Sequence, residues 1–96
     1  PNVFNDANGD YKMMGSEKTG KVKPGTNRYS TYSLWDTYRN LHSLLILLFP
    51  KQQEDMVTSM IDMYKENGWL PKWELAGNET YVMVGDPATA VIAETY

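Results

Sequence analysis

Residues 33 to 49, "SLWDTYRNLHSLLILLF", join a polar, aromatic opening to an apolar run that stops at Pro50. The spacing predicts one helix over 33–49, and Ser33 followed by Asp36 fits a capping box just before the run. The stretch from Leu44 to Phe49 is apolar on every side, so this helix is expected to be enclosed by other elements. Pro50 cannot continue the helix and suits the first position of the next one. A helix needing only burial has no use for Trp35, Asp36, Tyr38 and Arg39 in its first turns, so those residues are expected to face something other than core.

A second helix is predicted over 51–66. Its apolar stripe is Met56, Val57, Met60, Ile61 and Tyr64, and its outer face Gln52, Glu54, Asp55, Ser59, Asp62 and Lys65. Asn67-Gly68 supplies a left-handed stop. The segment 68–85 follows, a connection long enough to be functional rather than a plain link. Asp86 as N-cap and Pro87 as first helical residue then open a third helix over 86–96. Residues 1–28 carry Asn-Gly, Pro-Gly and isolated glycines between short segments such as "YKMM" and "KVK", which fits a loop or hairpin region.

Length and charge narrow the function. Ninety-six residues form at most one small domain. The net charge of −3 argues against a nucleic-acid partner, because phosphate binding needs a basic surface. Without cysteine there is no disulfide framework and no thiolate zinc site. No signal-peptide pattern occurs in these residues, and the apolar run is too short for a transmembrane segment. The chain opens on Pro1 and stops inside an amphipathic helix without a cap, which reads as a piece of a longer protein.

Tight connections make consecutive helices antiparallel, so the first and third are expected to run the same way. Their N-termini then share one end with the 68–85 loop. That end collects Trp35, Asp36, Trp69, Trp73, Glu74, Asn78 and Asp86, including all three tryptophans of the chain. Rings that stack on sugar faces, beside carboxylates that accept hydrogen bonds from paired hydroxyls, suit a carbohydrate. Plainer roles compete: Asp36 in the capping box, Asp86 as an N-cap, Trp69 and Trp73 as core plugs, and Arg39 in a local ion pair. His42 reads as a satisfied core histidine. Asp6, Asn8, Asp10 and Glu17 fall at calcium-loop spacing, but Tyr11 occupies the position that needs glycine, so a turn-rich hairpin tip is expected. Asn78-Glu79-Thr80 matches the glycosylation triplet, a pattern too common to carry weight.

The blocks "PNVFND", "YSLWDTYR", "DMYKENGWLPKWELAGNET" and "VMVGDPATAVIAETY" resemble the glycoside hydrolases of family 92, exo-acting bacterial α-mannosidases, over nearly the whole chain. The resemblance implies a mainly α fold, part of an (α/α)6 barrel preceded by a β-sandwich domain. In it 33–49 is an inner helix, 51–66 an outer helix, 68–85 a pocket loop and 86–96 the start of the next inner helix. The whole of 1–96 is then one segment of a larger catalytic domain. The resemblance also implies hydrolysis of terminal α-linked mannose with inversion, assisted by calcium whose ligands lie mostly in other segments. The catalytic acid and base are likewise expected elsewhere. Within this chain it implies substrate binding in the −1 subsite by Asp36, and Trp35, Trp73 and Asp86 are expected to join it mostly by their position at the pocket end. The partners implied are a mannose-containing glycan and the remainder of the parent polypeptide, in a periplasmic, cell-surface or secreted bacterial setting. One departure is Ser43, where many relatives have proline. The competing readings are a non-catalytic helical carbohydrate-binding module, and a helical interaction domain whose apolar face docks a partner.

Overall fold

The turn formers of the first thirty residues break the chain into segments too short to stand alone, and each finds an antiparallel partner. The structure, a computed structural model, describes residues 1–75, 77–82 and 85–96. Three positions of the expected pocket loop, Ala76, Met83 and Val84, lie outside the described residues. Strand β1 (Asn2–Val3) pairs with β4 (Tyr29–Ser30), and β2 (Asp10–Lys12) forms a hairpin with β3 (Thr19–Lys21). A third ladder has the order β5 (Tyr32–Ser33), β6 (Trp73–Leu75), β7 (Asn78–Glu79). The helices are α1 (Leu34–Thr37), α2 (Leu41–Leu48), α3 (Pro50–Asn67) and α4 (Pro87–Thr95).

This architecture corrects the expected mainly α class. The described chain is about 42% helix and 18% strand, with three small antiparallel sheets, so it is a mixed α and β segment rather than part of an (α/α)6 barrel. The physical reason lies in the backbone of residues 1–33 and 72–81. Those stretches are too rich in turn formers to propagate helices, and their described N–H groups are satisfied by short strand pairs and by side-chain carboxylates and hydroxyls.

The helix expected over 33–49 is interrupted. Tyr38 closes α1 with a bond from its N–H to the Leu34 carbonyl, and Asn40 starts α2 from a non-helical backbone at φ −152°. The Trp-Asp-Thr turn is therefore its own short element, free of the direction of α2. Nor is the apolar run enclosed within this chain: Leu44, Leu47, Leu48 and Phe49 are 51, 79, 60 and 51% exposed.

The core is Met14, Tyr29, Tyr32, Leu34, Met56, Met60, Met63, Ala88 and Val91, with Leu45, Leu70 and Ile92 packed against it. Helix α3 provides three of these at positions 56, 60 and 63, one face of a helix. Its buried face is rotated from the expected stripe: Tyr64 is more than half exposed, whereas Asp55 and Ser59, assigned to the outer face, are buried. They are buried because the segment 27–30 crosses α3 and needs acceptors. The Asn27 N–H donates to Asp55 Oδ2 at 3.1 Å, and the Tyr29 N–H to Ser59 Oγ at 2.9 Å. A bidentate pair locks the same crossing, with Arg28 Nη1 and Nη2 donating to Glu66 Oε2 and Oε1 at 3.0 and 2.9 Å. The Met14 N–H and the Tyr11 hydroxyl add to the same carboxylate, and the Tyr11 ring lies under the guanidinium. Gly68 then ends α3 at φ 85°, a conformation that favours glycine.

Candidate functional site

Antiparallel pairing of β5 with β6 brings Trp73 to the start of α1. Ser33 is the register partner of Trp73, and the Leu34 N–H donates to the Lys72 carbonyl at 3.3 Å. A bond between the residues flanking that pair marks it as a non-hydrogen-bonded pair, the kind whose side chains stand closest on one face of a ladder. Ser33 is the N-cap of α1, yet its hydroxyl does not cap the backbone; it donates to Asp36 Oδ2. The expected capping box is thus absent, and the Asp36 carboxylate is held over the residue that faces Trp73. Asp36 is exposed, and its Oδ1 has no protein partner among the described residues.

Trp35 is half-buried in the same turn. Arg39 lies over its ring, the guanidinium carbon 5.0 Å from the centroid, and over Tyr38 at 6.0 Å, in place of the expected ion pair. Asp86 is exposed at the N-cap of α4, where it accepts the Thr89 hydroxyl at 2.6 Å. It belongs to the neighbourhood through α4, which packs on α1. No hydrogen bond joins it to Trp35, Asp36 or Trp73 among the described residues. Trp69 is 65% exposed and Asn78 is exposed as well.

Glu74 does not belong to the rim. It is fully buried and accepts from the Ser30 hydroxyl at 2.9 Å, the Thr31 N–H at 2.7 Å and the Gly77 N–H. That grip holds Thr31 at φ 66°, the turn by which the chain leaves β4 and enters β5. Sequence reasoning also missed Glu79, whose carboxylate accepts the N–H groups of Lys72, Trp73 and Tyr81. The available signal was a stretch whose strands are too short for ladder bonds to satisfy all of its backbone donors.

Behind the turn, His42 is buried with both ring nitrogens engaged, Nε2 to Thr37 Oγ1 at 2.9 Å and Nδ1 to Gln53 Oε1 at 3.1 Å. Gln53 Nε2 donates to Thr95 Oγ1 at 3.0 Å, and that hydroxyl donates to the Val91 carbonyl at 2.8 Å. The amide oxygen can only accept, so Nδ1 carries the ring proton. Burial pushes the His42 pKa down and favours the neutral ring, leaving Nε2 to accept the Thr37 hydroxyl. Ser43 donates to Glu94 Oε1 at 2.7 Å and ties α2 to α4.

No group of three or more His, Asp or Glu side chains that could hold a metal occurs among the described residues. Asp10, the central carboxylate of the calcium-like spacing, is occupied by Asn8 and by Lys21 at 3.3 Å. The residues present do not fit a calcium cage. No described helix is long and apolar enough to cross a membrane.

The chain is similar to two solved structures of the family GH92 alpha-mannosidase BT3965 from Bacteroides thetaiotaomicron, one of them in complex with mannoimidazole. In both, identity is 34% with a TM-score of 0.88, over 95% of this chain. The chain spans 12% of that enzyme's length. Among curated proteins none matches. The glycosyl hydrolase family 92 catalytic domain matches residues 1–96, and with it the likeness in sequence and backbone has one meaning: the chain belongs to that family.

Proposed function

We propose that this chain is one segment of a longer glycoside hydrolase that removes terminal α-linked mannose from glycans with inversion. In this reading the segment contributes part of the −1 sugar pocket. The observation that carries the reading is the register pairing of Ser33 with Trp73 while the Ser33 hydroxyl donates to the exposed Asp36 carboxylate, which ties the α1 turn to the strand that carries Trp73. Family membership supports the substrate class, since the similar solved enzyme is an alpha-mannosidase.

The chemistry assigns these residues to binding. The Asp36 carboxylate accepts hydrogen bonds from sugar hydroxyls through Oδ1 while Ser33 fixes its other oxygen, and charge-assisted bonds of that kind are strong and directional. Trp73 and Trp35 supply apolar faces for the sugar ring, and Asp86 a further acceptor. Inversion requires a general acid on the leaving oxygen and a general base on water, two carboxylates far enough apart to admit that water. Neither role falls to this segment. The exposed leucines of α2, with Phe49 just beyond it, provide a seat for the rest of the parent polypeptide. A periplasmic, cell-surface or secreted bacterial location goes with a glycan substrate.

The test is to follow the parent enzyme on an aryl α-mannoside by NMR. The expected first product is β-mannose, and the 96-residue chain alone is expected to give no turnover. A parent that binds mannoimidazole but releases no mannose is a binding module, and the proposal fails.

A further inference from the structure

Trp73 is held in an unusual way. In the β6–β7 hairpin the regular continuation of the ladder would pair Trp73 with Thr80 through both backbone groups. Only half of that pairing exists. The Thr80 N–H reaches the Trp73 carbonyl at 3.4 Å, but the Trp73 N–H donates instead to Glu79 Oε1 at 3.2 Å. The same oxygen accepts the Tyr81 N–H at 3.0 Å, and Oε2 accepts the Lys72 N–H at 2.5 Å. The Thr80 hydroxyl then adds a second bond to the Trp73 carbonyl, at 2.6 Å. One carboxylate gathers three backbone donors, and its neighbour doubles the hold on the one carbonyl that matters for Trp73.

From this geometry we infer that Glu79 and Thr80 are positioning residues for Trp73, clamping both its backbone groups so that its ring is presented to the sugar at a fixed height beside Asp36. The inference rests on the reading of Trp73 as a sugar-stacking residue. It adds residues that touch no substrate yet set the affinity of the pocket. The physical need is plain: β6 and β7 have three and two residues, too few for ladder bonds alone to fix a tryptophan. A carboxylate whose two oxygens bind donors on both sides of Trp73 supplies the missing constraint. Gln at position 79 would turn an amide N–H toward backbone N–H groups, a donor against donors.

The experiment uses the full-length parent and measures KM and kcat on an aryl α-mannoside, the Kd of mannoimidazole, and Tm. W73A sets the scale and is expected to raise KM about tenfold. E79Q is expected to raise KM about fivefold with kcat within about twofold, because a stacking contact is shared by ground and transition states. The W73A/E79Q double variant is expected to be no weaker than W73A, since the clamp acts only through the ring. Thr80→Val, which removes one hydroxyl bond, is expected to raise KM about threefold, and Thr80→Ser to restore it. If E79Q does not fold, the Thr80 pair decides.

A raised KM in W73A with normal values in E79Q and Thr80→Val overturns the clamp alone. So does a double variant whose defect is the product of the two single ones. An unchanged KM and Kd in W73A overturns the sugar reading of Trp73, and the clamp's purpose with it.

Discussion

Replacing Asp36 by Asn in the full-length enzyme separates a sugar ligand from a local structural residue. The side chain keeps its shape and loses its charge. On the stability side the loss is small, because the Ser33 hydroxyl can donate to the Asn oxygen as it does to Asp36 Oδ2, and the residue is exposed. No capping box is broken, because none is formed. A cost below about 1 kcal/mol follows, with a Tm change of at most about 2–4 °C in a protein larger than this segment. On the binding side Oδ1 changes from a charged acceptor to a neutral amide position. A hydrogen bond to a charged group is worth about 1.5–3 kcal/mol, so kcat/KM should fall roughly ten- to a hundredfold. Steady-state kinetics on an aryl α-mannoside, read beside a thermal melt, measures both sides at once. A variant with kcat/KM within about twofold of normal and a melt lowered by many degrees would falsify the ligand role.

Further perturbations test the frame around the site. Glu66→Gln leaves Arg28 buried without its counter-charge and should destabilise by about 3–5 kcal/mol, seen as a lower urea midpoint; a change below about 1 kcal/mol would mean the pair is dispensable. His42 has a pKa lowered by burial from its ordinary 6.5, so the unfolded chain binds more protons in the window below that value. Its contribution to stability is complete above pH 6.5 and is lost as pH falls from there through the lowered folded value, where it levels off. His42→Asn should flatten that slope in urea midpoints taken across the window, and an unaltered slope refutes the assignment. Leu47→Glu on the exposed face of α2 should reduce self-association of the isolated chain in sedimentation, and a monodisperse starting chain would remove the premise.

What could be read from the residues followed their local signals. Pro50, Gly68 and the Asp86-Pro87 pair mark helix boundaries because each acts on its own backbone, and in the structure α3 begins at Pro50 and ends before Gly68 while α4 begins at Pro87. The break after Thr37 was hidden because Tyr38-Arg39-Asn40 carries no proline or glycine, and the interruption depends on where Thr37 and His42 meet. Asp55 and Ser59 looked like surface residues by periodicity, and only the crossing of 27–30 over α3 gives them work to do. Helix direction predicts Trp35, Asp36 and Trp73 at one end, whereas the link the structure shows between the α1 turn and Trp73 is a strand register that no periodicity reports. Glu74 was misplaced for the same reason: a carboxylate in a loop can point at solvent or at starved amides, and its composition is identical in either case.

The pairing of Ser33 with Trp73 spans everything between them, α1, α2 and α3 included. Closing so long a loop is entropically slow, whereas α2 and α3 meet through Pro50 with almost no loop to close. The helical hairpin is therefore expected to assemble early and the aromatic-carboxylate edge late, after β6 has found β5. On the proposed reading of the site, folding itself then acts as a gate on sugar affinity, since a molecule with its helices in place but β6 undocked has no Trp73 paired with Ser33. Quenching of tryptophan emission by a bound mannoside should accordingly appear after helical circular dichroism during refolding of the parent, and simultaneous recovery of the two signals would refute the order.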